Sequence, residues 1–376
     1  MFWNKSYGRP IFHETMPRNR FQLILRFVRF DDKTTRNARR ENDKYAPLRA
    51  LWETVTKNFA KCFFPKGSVT VDEQLFSTKS RCSFIQYMSQ KPGKFGLKYW
   101  LICDTSTSYV LNAVPYIGRD DRRPPEQGLG EHVVRTLVEP YYGSGITVTT
   151  DNFLTSLNLS DHLRRNDVSM VGTMRANRRE IPSQIKDQNR QRTIQSSEFV
   201  FTDTAMLVSY KAKPTKMVYV LSSAHNQPDI ASNDPKKRPD VVLFYNKEKA
   251  GVDTADQMLR GYSTKSATKR WPLSAFFNLL DMVALNCYIL CVDLEITKQR
   301  RYEFLISIGE KLCFSQRQLQ IPPQVTEPAS EPEQLPRGKR THCRICSTNK
   351  TRIQCFSCRR FICGPCSATM CKKCKE

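Results

Sequence analysis

The chain has 376 residues and a formal net charge of +24, from 60 Lys+Arg against 36 Asp+Glu. This length can bury a sizeable core in two or three domains, and a hydrophobic content of 39% excludes a wholly disordered chain. The basic excess points to a polyanionic partner: nucleic acid comes before a membrane surface, because no basic amphipathic helix suited to a bilayer is evident.

Met1–Pro10 (MFWNKSYGRP) lacks the apolar run of a secretory signal. Apolar residues at helical spacing predict a helix over Met16–Phe30 and another around Leu51–Phe59, with a charged loop at Asp31–Lys44. From Ser68 the texture changes. Val69–Phe76, Lys98–Asp104 and Tyr109–Tyr116 read as strands, separated by turn-prone stretches such as Lys91-Pro92-Gly93. A helix follows near Glu131–Val138, then a strand at Ile146–Thr150, a helix near Leu157–Arg165 and a strand at Val168–Met174. The order βββαβαβ predicts an α/β fold, a mixed sheet flanked by helices.

Residues 185–248 read as a β-rich insertion, with strands at Phe199–Thr202, Ala205–Lys211, Met217–Ser222 and Val241–Asn246. Helical periodicity returns from Val252 to Cys291. Within it Leu273–Val292 is nearly long enough to span a bilayer, but it contains Asn278, Asp281 and Asn286 and reads as a buried core helix, with no membrane role expected. Residues 320–340, rich in Pro, Glu, Gln and Ser, read as a linker. The expected division is therefore 1–65 helical, 66–184 the first part of the α/β domain, 185–248 the insertion, 249–319 its second part with trailing helices, 320–340 linker and 341–376 a cysteine-rich module. Basic clusters at Lys236–Arg238 and Arg337–Arg340 resemble nuclear import signals, so a nuclear location is expected.

Three carboxylates stand out. Asp72 interrupts a β-branched strand (VTVDEQLF), where an acidic residue is disfavoured unless a cation or donors meet it. Asp151 ends the strand ITVTTDNF, and Asp253 opens a helix in GVDTADQM with Asp256 one turn on, on a shared face. Each has an ordinary reading, as a cap or a turn residue. Together they suit in-line phosphoryl transfer, where two hard cations about 4 Å apart are held by carboxylate oxygens. All-oxygen ligation favours Mg²⁺, with Mn²⁺ able to substitute.

Eight of the 14 cysteines fall in the last 34 residues as four CxxC pairs: Cys343/Cys346, Cys355/Cys358, Cys363/Cys366 and Cys371/Cys374. Eight thiolates supply two tetrahedral Zn²⁺ sites, a metal pattern of a reducing compartment rather than a disulfide framework. The short gaps of eight, four and four residues favour interleaving, pairs one and three on one ion and pairs two and four on the other. Such a cross-braced module also occurs in ubiquitin ligases and histone-tail readers, but that reading leaves the carboxylates unexplained.

The stretches VTVDEQLF, KPGKFGLKYW, PYIGR, TTDNFLTS, VGTMRANRREIP, KMVYVLSS, YNKEKAGVDTADQM and KRWPLSAFF, in that order, resemble the piggyBac transposases and their domesticated relatives. The similarity runs from about residue 8 to the C-terminus. It implies an RNase H-like catalytic domain of the DDD type, split by a β-rich insertion, acting as a nuclease and strand transferase on double-stranded DNA. Its substrates would be transposon ends and TTAA targets, and a homodimer is expected. The matching catalytic aspartates are Asp72, Asp151 and Asp253, with Asp256 beside the third. Arg175 and Arg178 fall where the family places basic residues needed for target joining, Arg178 replacing a lysine. Trp271 matches an aromatic near the active site that could stack on an unpaired base or simply pack in the core. Cys366 stands where relatives carry His, a change that still completes a zinc site. The family also has more sequence ahead of the point matching Met1, so the N-terminal helical segment is expected to be incomplete. The alternative to an active transposase is a domesticated, non-catalytic DNA-binding or chromatin-associated derivative.

Overall fold

The computed structural model describes residues 2–4, 6–118, 124, 127–186, 191–320, 340–355 and 360–366. Two compact units emerge: Pro17–Leu312, and Met1–Met16 together with Cys313–Glu376. The linker expected at 320–340 lies outside the described residues except at its two ends.

Helices open the chain: α1 (Pro10–Thr15), α2 (Arg18–Phe27), α3 (Arg36–Asn42) and α4 (Arg49–Cys62). The expected helix over Met16–Phe30 is thus shorter, and the expected loop at Asp31–Lys44 contains α3. Arg36 and Arg39 explain that helix, since both grip the Asp31 carboxylate at 2.5 and 2.7 Å and turn a charged run into local structure. Helix α2 buries none of its own residues. Its C-terminal carbonyls, which a helix leaves unpaired, are closed by a distant side chain. The Arg270 guanidinium donates to Leu25 O (2.8 Å), Arg26 O (3.1 Å) and Val28 O (2.6 Å).

The strands are β1 (Ser68–Ser77), β2 (Gln86–Tyr87), β3 (Phe95–Asp104) and β4 (Val110–Pro115). After α5 (Leu129–Val138) come β5 (Thr147–Thr150), α6 (Leu157–Arg165), β6 (Ser169–Met174), β7 (Ser197–Phe201), β8 (Met206–Lys213) and β9 (Lys216–Ser222). Among the described residues these form one nine-stranded sheet in the order β2-β3-β1-β5-β6-β9-β8-β7, with β4 also on β3. β1, β3 and β4 are antiparallel, while β5 and β6 run parallel to β1. The order β4-β3-β1-β5-β6, third-second-first-fourth-fifth, is the RNase H-like arrangement. β3 is buried on both faces along most of its length, as a strand between helical layers must be.

One expectation needs correction. The segment read as an insertion is β-rich and extends the main sheet: β9 pairs antiparallel with β6, and β8 and β7 lie outward of it. Within it Val241–Asn246 is not a strand but part of α7 (Asp240–Glu248). Its apolar, β-branched run is ambiguous by pattern. The sheet decides: Val241 and Val242 fill a small core with Val171, Met206, Val208 and Val220, a job for one face of a covering helix.

Helices α8 (Gly251–Gly261), α9 (Trp271–Asp293) and α10 (Arg301–Gln320) follow. α9 is long and apolar enough to cross a membrane by composition, yet its polar residues are pins into the fold. Asn278 donates to Gln74 on β1 (2.8 Å), and Asp281 accepts from Ser263 and from the Thr264 N–H and hydroxyl. Asn286 pairs with both N–H and C=O of Val110 (2.9 and 2.8 Å), supplying β4 with the hydrogen bonds a neighbouring strand would give. Trp52 of α4 donates to Ala113 O at 2.7 Å on the same strand.

Candidate functional site

The sheet register brings the first two carboxylates together. Val71 of β1 lies opposite Thr150 of the parallel strand β5. The next residues along each chain are Asp72 and Asp151, so they are neighbours where β5 ends. Burial, first, and then the Glu73 and Asp151 carboxylates push Asp72 up to about 8. The Glu73 N–H, donated at 2.7 Å, and the Lys91 ammonium pull the other way and lose. An unfolded chain ionises this carboxyl near 4, so its contribution to stability falls as pH rises from about 4 to 8 and is constant above. Two adjacent carboxylates whose repulsion the protein leaves unrelieved fit a hard divalent cation.

Asp151 is held by its own turn. Its Oδ1 accepts from the N–H groups of Phe153 and Leu154, both at 3.0 Å. Its carbonyl accepts from the Thr155 N–H (3.1 Å) and hydroxyl (2.7 Å), and that hydroxyl also meets Thr150 at 2.8 Å. The turn closes this tightly because Gly172 on β6 has no side chain: a Cβ there would stand 2.1 Å from Thr155 Oγ1 and 2.5 Å from Thr150 Oγ1. Gly172→Ala is accordingly expected to cost about 1–3 kcal/mol in denaturant unfolding, as overpacked cores do. An unchanged midpoint would show that the turn adapts instead.

Helix α8 packs across β1. Thr70 donates at 2.6 Å to the carbonyl of Glu248, the last residue of α7, beside Gly251 at the start of α8, and Gln74 donates to Asp256 Oδ1 of α8 at 3.0 Å. Residues 70, 72 and 74 share one face of the strand, so Asp72 lies between these contacts and faces the first turn of α8. Asp253 occupies that turn with its side chain 68% exposed, its Oδ1 3.7 Å from Lys91 Nζ. Asp256 is different from what a shared helix face suggested. It is buried, its oxygens engaged by Gln74 and by Arg260 at 3.3 Å, and burial pushes its carboxyl up.

Two lysines belong to the site and were not singled out in the sequence. Lys91 Nζ lies 3.8 Å from Glu73 Oε1 and donates to the Glu73 carbonyl at 3.2 Å. Lys98 Nζ sits 3.9 Å from Glu73 and 3.8 Å over the Trp100 ring, with burial holding its ammonium below the usual range. The available signal was the Lys91-Pro92-Gly93 turn joining the strand that must pair with β1. Arg175 and Arg178 both reach the Asp151 turn: Arg175 donates to Asn152 Oδ1 (2.9 Å) and Arg178 to Thr155 O (3.1 Å). Trp271 is half-buried, with Tyr45 and Phe84 ring centroids 5.2 and 5.1 Å away, an aromatic packing position.

A cavity of about 720 Å³ between α4, β4 and α5 contains none of these carboxylates. A 220 Å³ cavity touches Asp256 only. Asp72 and Asp151 are both partly buried where they meet.

In the second unit, the hairpin of β10 (Thr341–His342) and β11 (Lys350–Thr351) presents a cysteine cluster. The thiols of Cys343, Cys346, Cys363 and Cys366 lie within 4.8 Å of one another, the first and third pairs of the spacing pattern. Four sulfurs about 2.3 Å from a tetrahedral zinc are about 3.8 Å apart, and Cys346 and Cys363 stand at 3.7 Å. Hydrogen bonds from Thr348, then from the Asn349 and Thr348 backbone, hold the Cys346 thiol down to about 5, while contact with Cys363 pushes Cys366 up to about 12. The cluster fits zinc. Cys355 is buried in the same hairpin core, while Cys358, Cys371 and Cys374 lie outside the described residues.

A family model described as transposase IS4 matches residues 1–288. Human PiggyBac transposable element-derived protein 2 is 24% identical over 79% of the chain and 53% of its own length. Human PiggyBac transposable element-derived protein 3 is 21% identical over the whole chain and 65% of its own length, so the chain spans about half to two thirds of these curated relatives. A solved piggyBac transposase synaptic complex with hairpin DNA superimposes with a TM-score of 0.81 at 31% identity, covering 99% of this chain and 82% of that one.

Proposed function

The chain belongs to the transposase IS4 family, in its piggyBac-type branch, and from that membership we propose that it cuts and joins DNA at the Asp72–Asp151 junction. The observation that carries this reading is the β1–β5 register, which seats those carboxylates side by side under the first turn of α8. Asp72, Asp151 and Asp253 would hold a pair of Mg²⁺ or Mn²⁺ ions, which when bound supply charge neutralisation and a more acidic attacking water or hydroxyl.

The chain's own residues do the rest. The Asp151 turn commits Oδ1 to backbone donors and leaves Oδ2 for a cation. Lys91 steadies the exposed Asp253 carboxylate, and Arg175 and Arg178 offer positive charge to a DNA backbone beside the turn. By analogy with the relative solved on hairpin DNA, the substrate is DNA; transposon ends and TTAA targets are what the sequence resemblance implies. Two zinc ions, a homodimer and a nuclear location complete the reading. The second zinc would take Cys355, Cys358, Cys371 and Cys374.

Mixed with a matching transposon-end duplex and Mg²⁺, the purified chain is expected to nick the strand at the transposon boundary. Tight DNA binding with no cutting under Mg²⁺ or Mn²⁺ would instead favour the second reading, a domesticated DNA-binding derivative. The matched human proteins, named as transposable element-derived, give that reading its support. Because Asp72 must lose its proton to ligate, Mn²⁺ affinity is expected to rise up to about tenfold per pH unit between pH 6 and 8. Calorimetry in two buffers should show proton release. A pH-independent affinity would show that the Asp72 carboxyl is already ionised before the cation binds.

A further inference from the structure

The carboxylate one turn beyond Asp253 has a different environment from the rest of the cluster. Asp256 is 5% exposed, and Gln74 and Asn278, which adjoin it, are 1% and 0% exposed. The three form a buried chain: Asn278 Nδ2 donates to Gln74 Oε1 at 2.8 Å, and Gln74 Nε2 donates to Asp256 Oδ1 at 3.0 Å. Asp256 Oδ2 faces Arg260 at 3.3 Å. Both oxygens are therefore engaged by donors, and a cation would have to displace both. Asp253 is the reverse case. It is exposed, and its nearest charged partner is a lysine at 3.7 Å, so its position follows from how α8 is docked. The hydrogen bond that ties α8 itself to β1 beside Asp72 is Gln74–Asp256; on the other side of Asp72, Thr70 holds the end of the preceding helix α7 through the Glu248 carbonyl.

We infer that Asp256 is a positioning residue rather than a cation ligand: with Gln74 and Asn278 it fixes where α8 carries Asp253 relative to Asp72. The inference rests on the two-cation reading above. Hydrogen bonds in such a dry setting are strong when complete and costly when broken. A supporting partner behind a metal ligand is worth about 10–100-fold in metal affinity.

The test titrates Mn²⁺ into the full chain by calorimetry, beside strand cutting, DNA binding and hydrogen exchange of α8. Asparagine at 256 still accepts the Gln74 N–H, and the half-exposed Arg260 pair it loses contributes little. Asp256→Asn is therefore expected to keep Mn²⁺ affinity and cutting within about threefold, whereas Gln74→Ala and Asp256→Ala weaken Mn²⁺ binding about 10–100-fold and raise exchange in α8. Asp253→Asn should abolish cutting without that exchange change. Asp256→Asn as damaging as Asp253→Asn overturns the inference, as does a Gln74→Ala chain with wild-type Mn²⁺ affinity. If Gln74→Ala fails to fold, Asp256→Asn alone decides. A wild-type chain that neither binds Mn²⁺ nor cuts overturns the functional reading as a whole. A wild-type chain that cuts while Asp256→Asn does not overturns this inference alone.

Discussion

Asp151→Asn is expected to lower strand cutting on the order of 10³-fold or more while leaving DNA affinity and melting temperature near wild type. The substitution is selective because of how the turn is built. Asparagine keeps an oxygen to accept from the Phe153 and Leu154 N–H groups, and the backbone carbonyl that Thr155 holds is untouched. What is lost is one negative charge beside Asp72. Without it the Asp72 carboxyl should drop from about 8 toward the ordinary range, since one of the charges raising it is gone. Gel-resolved cleavage of an end-labelled duplex, anisotropy for binding and a melting curve separate these effects. Cutting retained within tenfold would exclude Asp151 from the chemistry. Lost cutting together with lost folding would show only that the turn had collapsed.

Cys363→Ser, or a strong chelator, is expected to unfold the cysteine-rich hairpin while the catalytic unit keeps its transition. A zinc-thiolate site of this kind carries roughly 10–16 kcal/mol of apparent binding free energy at neutral pH. Little else holds the hairpin: its described core is Ile362 and the cysteines themselves. Elemental analysis of the full chain should find at least one zinc fewer per molecule in the variant. Amide exchange across residues 340–366 should rise to the unprotected rate, and that across Pro17–Leu312 should stay the same. A variant with wild-type zinc content and protection would show that sulfur at 363 is dispensable.

The strands that build the site were readable because they are pure cases of their pattern. β1 and β5 are β-branched runs, and an aspartate in or at the end of such a run is conspicuous. The residues that complete the site were not readable for two reasons. Lys91 and Lys98 are ordinary basic residues in a chain rich in them, and only pairing of β3 with β1 brings them to Glu73 and Asp253. Helical spacing correctly put Asp253 and Asp256 near one face, yet it could not show that one meets solvent and the other Gln74. That depends on the helix's rotation against β1, a tertiary quantity. The same limit hid α7, whose valines read as a strand until the widened sheet supplied the core they cover. The four-cysteine cluster was legible outright, because ligand spacing is a local property of the chain.

The buried link between Gln74 and Asp256 joins residues 182 apart in sequence. Strand β1 is the first to be made yet lies in the middle of the sheet, and every strand from β2 to β9 is synthesised before α8 arrives. On a translating ribosome, Asp72 and Asp151 can come together from an early fragment, but Asp253 joins them only when the catalytic unit is nearly finished. The order of the elements along the chain thus makes the link that docks α8 one of the last this unit can form.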